Sequence, residues 1–146
     1  MRVYVAGPLF TPYERGFIDD CAARLRDEGF DVFVPHEHLL ADRDATPAAV
    51  FAKDWKGLHA ADALLAVLDG PAVDDGTACE IGLFYGLMQS DPSRRGVVGL
   101  LTDMRRTRPG GSDVNLFLRG AVEASGGAVV GSLDDAVAVL RGWLPT

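Results

Sequence analysis

Short runs of β-branched and aliphatic residues alternate along the chain with longer stretches in which apolar side chains return every third or fourth position. The runs Arg2 to Ala6, Asp31 to Val34, Ala63 to Leu68, Val97 to Leu101 and Ala128 to Val130 predict five strands. Between and after them, helices are predicted over about Pro12 to Glu28, Pro47 to Ala61, Gly76 to Met88, Asp113 to Ala124 and Leu133 to Leu144. Phe17, Cys21 and Leu25 form one stripe of the first helix, which stops at Gly29; Leu133, Val137 and Leu140 do the same on the last. Strand alternating with helix implies parallel strands joined by right-handed crossovers. The expected architecture is α/β: a flavodoxin-like, doubly wound, five-stranded parallel sheet in the order 2-1-3-4-5, with helices on both faces and residues 1–146 forming a single domain. Ligands of such sheets bind beyond the carboxyl ends of the strands, near the point where strand order reverses. That directs attention to the segments after Ala6 and after Leu68. The long connections Pro35 to Thr46 and Thr102 to Ser112 offer places for a lid or an intersubunit contact.

Composition narrows the function classes. At 146 residues and 48% hydrophobic, the chain can build a core without disulfides or a structural metal. Its longest apolar run, Ala63 to Leu68, is far short of the ~20 residues that span a bilayer. The N-terminus does not resemble a signal peptide, so a soluble cytoplasmic protein is expected. A net charge of −7 disfavours binding of nucleic acid as a polymer. Cys21 and Cys79 form no C-x-x-C pair, and His36-Glu37-His38 lacks a third ligand at a metal-binding spacing, so no metal site is expected.

The loop Gly7-Pro8-Leu9-Phe10-Thr11-Pro12 contains neither a dinucleotide fingerprint nor a P-loop. Leu9 and Phe10 suit stacking against a flat apolar ring, or Phe10 simply packs a tight turn. More informative is the helix after the third strand. Glu80 is the only charged residue between Gly76 and Ser90, in a helix apolar nearly all round and therefore expected to be buried. A carboxylate near the start of such a helix is desolvated and close to the positive helix end, a setting for an acid, base or nucleophile. The alternative is a capping glutamate, with Asp75 or Gly76 as N-cap. Asp74 lies six residues before Glu80, and two carboxylates in unlike environments suit cleavage at an acetal-like carbon.

Other residues carry weaker signals. Asp69-Gly70 and Asp75-Gly76 read as turn punctuation. Asp54, flanked by Lys53 and Lys56, reads locally as solvated, and His59 as packing. Tyr4 either directs its hydroxyl toward Glu80 or packs in the core. Asn115 reads as a helix-start residue.

Taken together, these segments resemble the nucleoside 2-deoxyribosyltransferase family. The matching pieces are Tyr4-Val5-Ala6-Gly7-Pro8-Leu9-Phe10, Asp54 with Leu58 and Ala61-Asp62, Leu68-Asp69-Gly70, Asp74-Asp75-Gly76-Thr77-Ala78-Cys79-Glu80-Ile81-Gly82 and Asn115-Leu116-Phe117, in the family's order. The resemblance implies a flavodoxin-like fold and exchange of the base of a 2′-deoxynucleoside through a covalent deoxyribosyl-enzyme intermediate. It makes Glu80 the nucleophile and gives Asp54 and Asp74 the work of holding the base and protonating its leaving nitrogen. Tyr4 would position Glu80, while Gly7, Phe10 and Gly76 would contact substrate. Asn115 would be lent by a neighbouring subunit to the 5′-hydroxyl, implying a homo-oligomer with shared sites. Nucleosides and nucleobases are the implied partners, and no cofactor is required.

Two features depart from that pattern. The tail Gly142-Trp143-Leu144-Pro145-Thr146 differs from those family tails that supply a terminal carboxylate. The loop carrying Arg105, Arg106 and Arg108 is more basic than transfer of an uncharged nucleoside requires, and reads as solvated or as a phosphate contact. Two competing readings follow: a nucleoside 5′-monophosphate N-glycosidase, which passes the sugar to water, and a non-catalytic nucleoside-binding module.

Overall fold

The computed structural model describes residues 1–107, 109 and 113–145. The elements are β1 (Arg2–Ala6), α1 (Pro12–Asp27), β2 (Asp31–Phe33), α2 (Pro47–His59), β3 (Ala63–Val67), α3 (Asp75–Met88), β4 (Gly96–Leu100), α4 (Met104–Thr107), α5 (Leu116–Ala124), β5 (Val129–Val130) and α6 (Leu133–Gly142). Short 3-10 turns at Pro35–Glu37 and Asp42–Asp44 occupy the connection before α2. The strands lie in the order β2-β1-β3-β4-β5 and every pairing is parallel, as the alternation of elements predicts.

All five residues of β3 are buried, as expected of a central strand covered on both faces. Alternate residues feed two cores. Val3, Val5, Leu65 and Val98 meet Ile18, Cys21 and Leu25 of α1 and Val137 and Leu140 of α6. Tyr4, Leu64, Ala66 and Val97 meet Leu58 of α2, Ile81 and Phe84 of α3 and Val122 of α5. Each fully buried aliphatic or aromatic side chain contributes roughly 1.5–3 kcal/mol, so two cores are ample for a sheet of this size.

Capping decides where the helices begin, and here the structure departs from the periodic pattern. Thr11 and Glu14 form a capping box at α1. Asp74, not Asp75 or Gly76, caps α3, its Oδ2 accepting from the Thr77 backbone N–H at 2.9 Å and from the Thr77 hydroxyl at 3.1 Å. Glu80 is thereby free of capping duty. The helix predicted from Asp113 starts instead at Leu116, because the Asn115 side chain accepts from the Phe117 and Leu118 N–H groups. A second correction concerns α3, predicted to be buried all round: only Thr77, Ile81 and Phe84 are buried, and Cys79, Gly82 and Gly86 are exposed. The helix rests on the sheet along one stripe and borders a cleft on each side.

Asp69 is more than turn punctuation. Its carboxylate accepts from the Thr102 N–H and hydroxyl, each at 2.6 Å, and from the Asp103 N–H at 2.8 Å. These bonds tie together the loops that leave β3 and β4. Arg106 reinforces the tie by donating to the carbonyls of Leu68 and Asp113.

The approach of α2 to the sheet depends on Gly57. A Cβ there would stand 2.4 Å from the ring of Phe33, which is itself held in a stack between Tyr4 and His38. Gly57→Ala is therefore expected to destabilise the protein by about 1–3 kcal/mol. Urea denaturation checks this, and an unchanged midpoint would mean that Phe33 moves aside freely.

Candidate active site

In register, Tyr4 pairs with Phe33 on β2 and with Leu64 on β3, so all three side chains emerge on the face that α2 and α3 cover. The Tyr4 and Phe33 rings stack with centroids 5.2 Å apart, and the tyrosine is fully buried. Its hydroxyl has one destination: it donates to Glu80 Oε1 at 2.5 Å. Strand β1 and helix α3 are thus joined at the carboxylate that the sequence singles out.

Glu80 is surrounded by opposing influences. Burial is the largest, and together with the negative charges of Asp54 and Asp74 it disfavours ionisation; the Tyr4 hydrogen bond and the Lys53 charge favour it. The balance pushes the carboxyl up to about 7. Burial, and then the neighbouring Glu80 charge, hold the Tyr4 hydroxyl far above the usual phenol range, so it remains a donor. A carboxyl that exchanges its proton near neutrality, in a cleft, suits nucleophilic or acid–base work.

The cleft, about 470 Å³, lies between α2 and α3. Phe51 and Trp55 of α2 form one wall, their rings nearly parallel with centroids 5.9 Å apart, and Leu83 of α3 forms part of the other. Asp54, Cys79 and Glu80 supply its polar side chains. Lys53 Nζ lies 2.6 Å from Asp54 Oδ1, an ion-pair contact without hydrogen-bond angles, and donates to the Pro35 carbonyl at 2.9 Å. The arrangement is an apolar, aromatic slot with carboxylates at its inner edge. Such a slot accepts a flat heterocycle and presents oxygens to its donors and to an electrophilic carbon.

The structure brings together Glu80, Asp54 and Gly76 in this cleft, with Tyr4 beneath. Asp74 stands at the end of the preceding loop, where its charge acts on Glu80 while one oxygen caps α3. Three other predicted residues lie elsewhere. Gly7 is where β1 meets α1: a Cβ there would be 2.6 Å from Ile18 Cδ1, so close packing accounts for the glycine. Phe10 is 77% exposed and does not line the cleft. Asn115 borders a second cleft of about 550 Å³ on the other side of α3, with Phe117 and Arg106.

Sequence reasoning missed Phe51, Trp55 and Lys53. The aromatic pair is four residues apart and so shares one helix face, a spacing that could have marked it.

The remaining motifs resolve into structural contacts. His36 contacts Asp19 at 2.7 Å, Glu37 pairs with Arg26 at 2.6 Å, and His38 stacks on Phe33, so the three point to different partners. Among the described residues no three His, Cys, Asp or Glu side chains converge as a metal site, and no helix is long and apolar enough to cross a membrane. His59 tilts against Trp55. Arg105 pairs with Asp103 at 2.5 Å, and Arg108 and Ser112 lie outside the described residues. In the tail, Trp143 packs near Gly96 at the amino end of β4, and Trp143 and Pro145 line a pocket with Met1 and Asp62. That is the opposite end of the sheet from Glu80.

Known proteins resemble this chain in sequence pattern and fold. The family model for nucleoside 2-deoxyribosyltransferase matches residues 3–134. No curated protein matches the chain by sequence. A conserved protein from Enterococcus faecalis V583 superposes with a TM-score of 0.85 at 26% identity, covering 99% of each chain. A 2-deoxyribosyltransferase from Bacillus psychrosaccharolyticus gives 0.72 at 24% identity, covering 93% of this chain and 90% of that one. A CMP N-glycosidase from Clostridium botulinum gives 0.63 at 18%, covering 99% and 100%. The last two show a shared fold.

The raised Glu80 carboxyl also sets a pH dependence of stability. A carboxyl that the fold prefers protonated costs nothing below its ordinary value of 4.5, destabilises progressively as pH rises toward about 7, and stays costly above it. Glu80→Gln removes that cost, so it should match wild type near pH 4 and exceed it by about 3 kcal/mol at pH 8. Denaturant titrations at both pH values test this; equal stability at pH 8 would refute the burial argument.

Proposed function

The chain belongs to the nucleoside 2-deoxyribosyltransferase family, and from that premise we propose that it transfers the 2-deoxyribosyl group between nucleobases through a covalent glycosyl-Glu80 intermediate. The observation that carries this reading is the Tyr4 hydroxyl bound to Glu80 Oε1 inside a cleft that also holds Asp54. The base lies between the Phe51–Trp55 wall and Leu83, with Asp54 on its donor edge. A Glu80 oxygen attacks the anomeric carbon as the bond from that carbon to the base nitrogen breaks, its electron pair leaving with the base. Asp54 and Asp74 hold the base and relay the proton that the leaving nitrogen takes up. The carbon passes through an oxocarbenium-like state that the nearby carboxylate stabilises. An acceptor base then attacks the same carbon from the face the first base left; its ring N–H proton passes back to the aspartates, and the bond to Glu80 breaks with the electron pair returning to the carboxylate, giving net retention with ping-pong kinetics. No metal or organic cofactor enters these steps, and the reading places the protein in the cytoplasm.

Asn115 enters this scheme through a second copy of the chain. Its carboxamide oxygen caps α5, which leaves the NH₂ as a donor, and the adjoining Leu116 and Phe117 are 82% and 90% exposed. A partner covering that apolar edge would receive Asn115 at its own sugar 5′-hydroxyl, making a homo-oligomer with shared sites.

Transfer is favoured over hydrolysis of a 5′-monophosphate by the first loop. The Phe10 and Thr11 N–H groups, the donors a phosphate would need after β1, are taken by the Glu14 carboxylate at 2.9 and 2.7 Å. Arg15 likewise donates to the Leu9 carbonyl. An anion placed there would meet a carboxylate rather than free donors.

Incubation with a 2′-deoxynucleoside and a second free base should yield the exchanged deoxynucleoside. Glu80→Ala should lower the rate by roughly 10³-fold or more while binding persists. Free base without exchange, or turnover restricted to 5′-monophosphates, would favour the N-glycosidase; binding without turnover by wild type would favour a non-catalytic module.

A pH profile supplies a second test. Since attack requires ionised Glu80, kcat/KM should rise with pH to a limb near 7. Tyr4→Phe removes a bond that favours ionisation and should move that limb upward. A limb that stays in place would break the assignment of Tyr4.

A further inference from the structure

Lys53 precedes Asp54 on α2 and is only 19% exposed on its side chain. A lysine gives up that much water only when its charge is matched. Here the ammonium is fixed from two sides, donating to the Pro35 carbonyl and standing 2.6 Å from Asp54 Oδ1. Pro35 opens the 3-10 turn that follows β2, so Lys53 ties that turn to the helix forming the aromatic wall. The titratable and charged groups acting on Glu80 are Tyr4 from β1, Lys53 and Asp54 from α2, and Asp74 from the loop before α3. Two of these are carboxylates and oppose a negative Glu80; Lys53 is the cation set against them.

We propose that Lys53 is a positioning residue of the exchange reaction: it anchors the Asp54 carboxylate toward the base and sets a positive charge among the carboxylates of the cleft. The proposal rests on the reading of Glu80 as nucleophile and Asp54 as base holder. Lys53 touches neither the sugar nor the base and acts through the two residues that do. Its flexible stem matters less than its charge, so arginine should replace it in part and an isosteric apolar side chain should not.

The test compares Lys53→Met and Lys53→Arg with wild type. For Lys53→Met, the acid limb of kcat/KM should move up by about one pH unit and KM for the donor nucleoside should rise roughly tenfold, with kcat at high pH changing less. Lys53→Arg should recover most of both effects. A lowered melting temperature with limb and KM unchanged would reduce Lys53 to a structural tie and overturn the proposal. So would a limb that moves equally in both variants, since charge would then not be its cause. A second arm needs no turnover. The melting-temperature difference between wild type and Glu80→Gln, followed against pH, reports the ionisation of Glu80 in the fold. Its midpoint should lie higher when the same pair is compared in the Lys53→Met background. If wild type exchanges no base, the functional reading fails while this arm still decides the electrostatic role of Lys53, and an unmoved midpoint overturns it.

Discussion

A buried hydroxyl must find an acceptor, and in this fold the Tyr4 hydroxyl finds Glu80. That bond joins the third residue of β1 to a helix that begins 71 residues later, across the face where α2 also packs. Much of the site's geometry is arranged around it. Phe33 stacks on the tyrosine because parallel register places the two side by side, and Gly57 lets α2 close over Phe33. The same closure brings Asp54 and the Phe51–Trp55 pair into the lining of the cleft. Asp74 completes the arrangement by capping α3, which leaves Glu80 to face the tyrosine instead of its own helix end.

The electrostatics follow from this packing. Burial alone would keep Glu80 protonated, and two further carboxylates would reinforce that tendency; the tyrosine hydrogen bond and one lysine act against them. The result is a carboxyl balanced near neutrality, able to exist as an anion at the inner edge of the cleft. The cost appears as native-state strain of an electrostatic kind, concentrated where function needs it. Elsewhere several acidic and basic side chains are engaged with one another. Arg26 meets Glu37, Arg105 meets Asp103 and Asp69 gathers the donors of the next loop, so charge that looked available in the chain serves architecture.

Helix α3 has a different relation to its surroundings from that implied by its composition. Its apolar character extends well beyond the stripe buried against the sheet, and the clefts on its two sides account for the excess. One holds Glu80 and the other adjoins Asn115 and the exposed Phe117.

Fold class, strand order and the sites of the five longer helices were legible along the chain, because periods of two and of three to four are local consequences of which face each element buries, whereas the short α4 falls within a stretch read as a connection. Glu80 was legible for a related reason: a lone charge in an apolar helix stands out without any knowledge of its neighbours. Asp54 read as solvated because Lys53 and Lys56 flank it in sequence, whereas the fold turns it into the cleft against Lys53. Phe10, adjacent to a matching motif, points to solvent, and the aromatic wall comes from Phe51 and Trp55 on another element. The pattern of hydrophobic and polar positions by itself determined the layers and singled out the carboxylate that lies in the cleft. The partners of that carboxylate, its proton affinity and the walls of its cleft were decided only by tertiary packing, since each depends on side chains from β1, α2 and α3 meeting across distances the linear order does not encode.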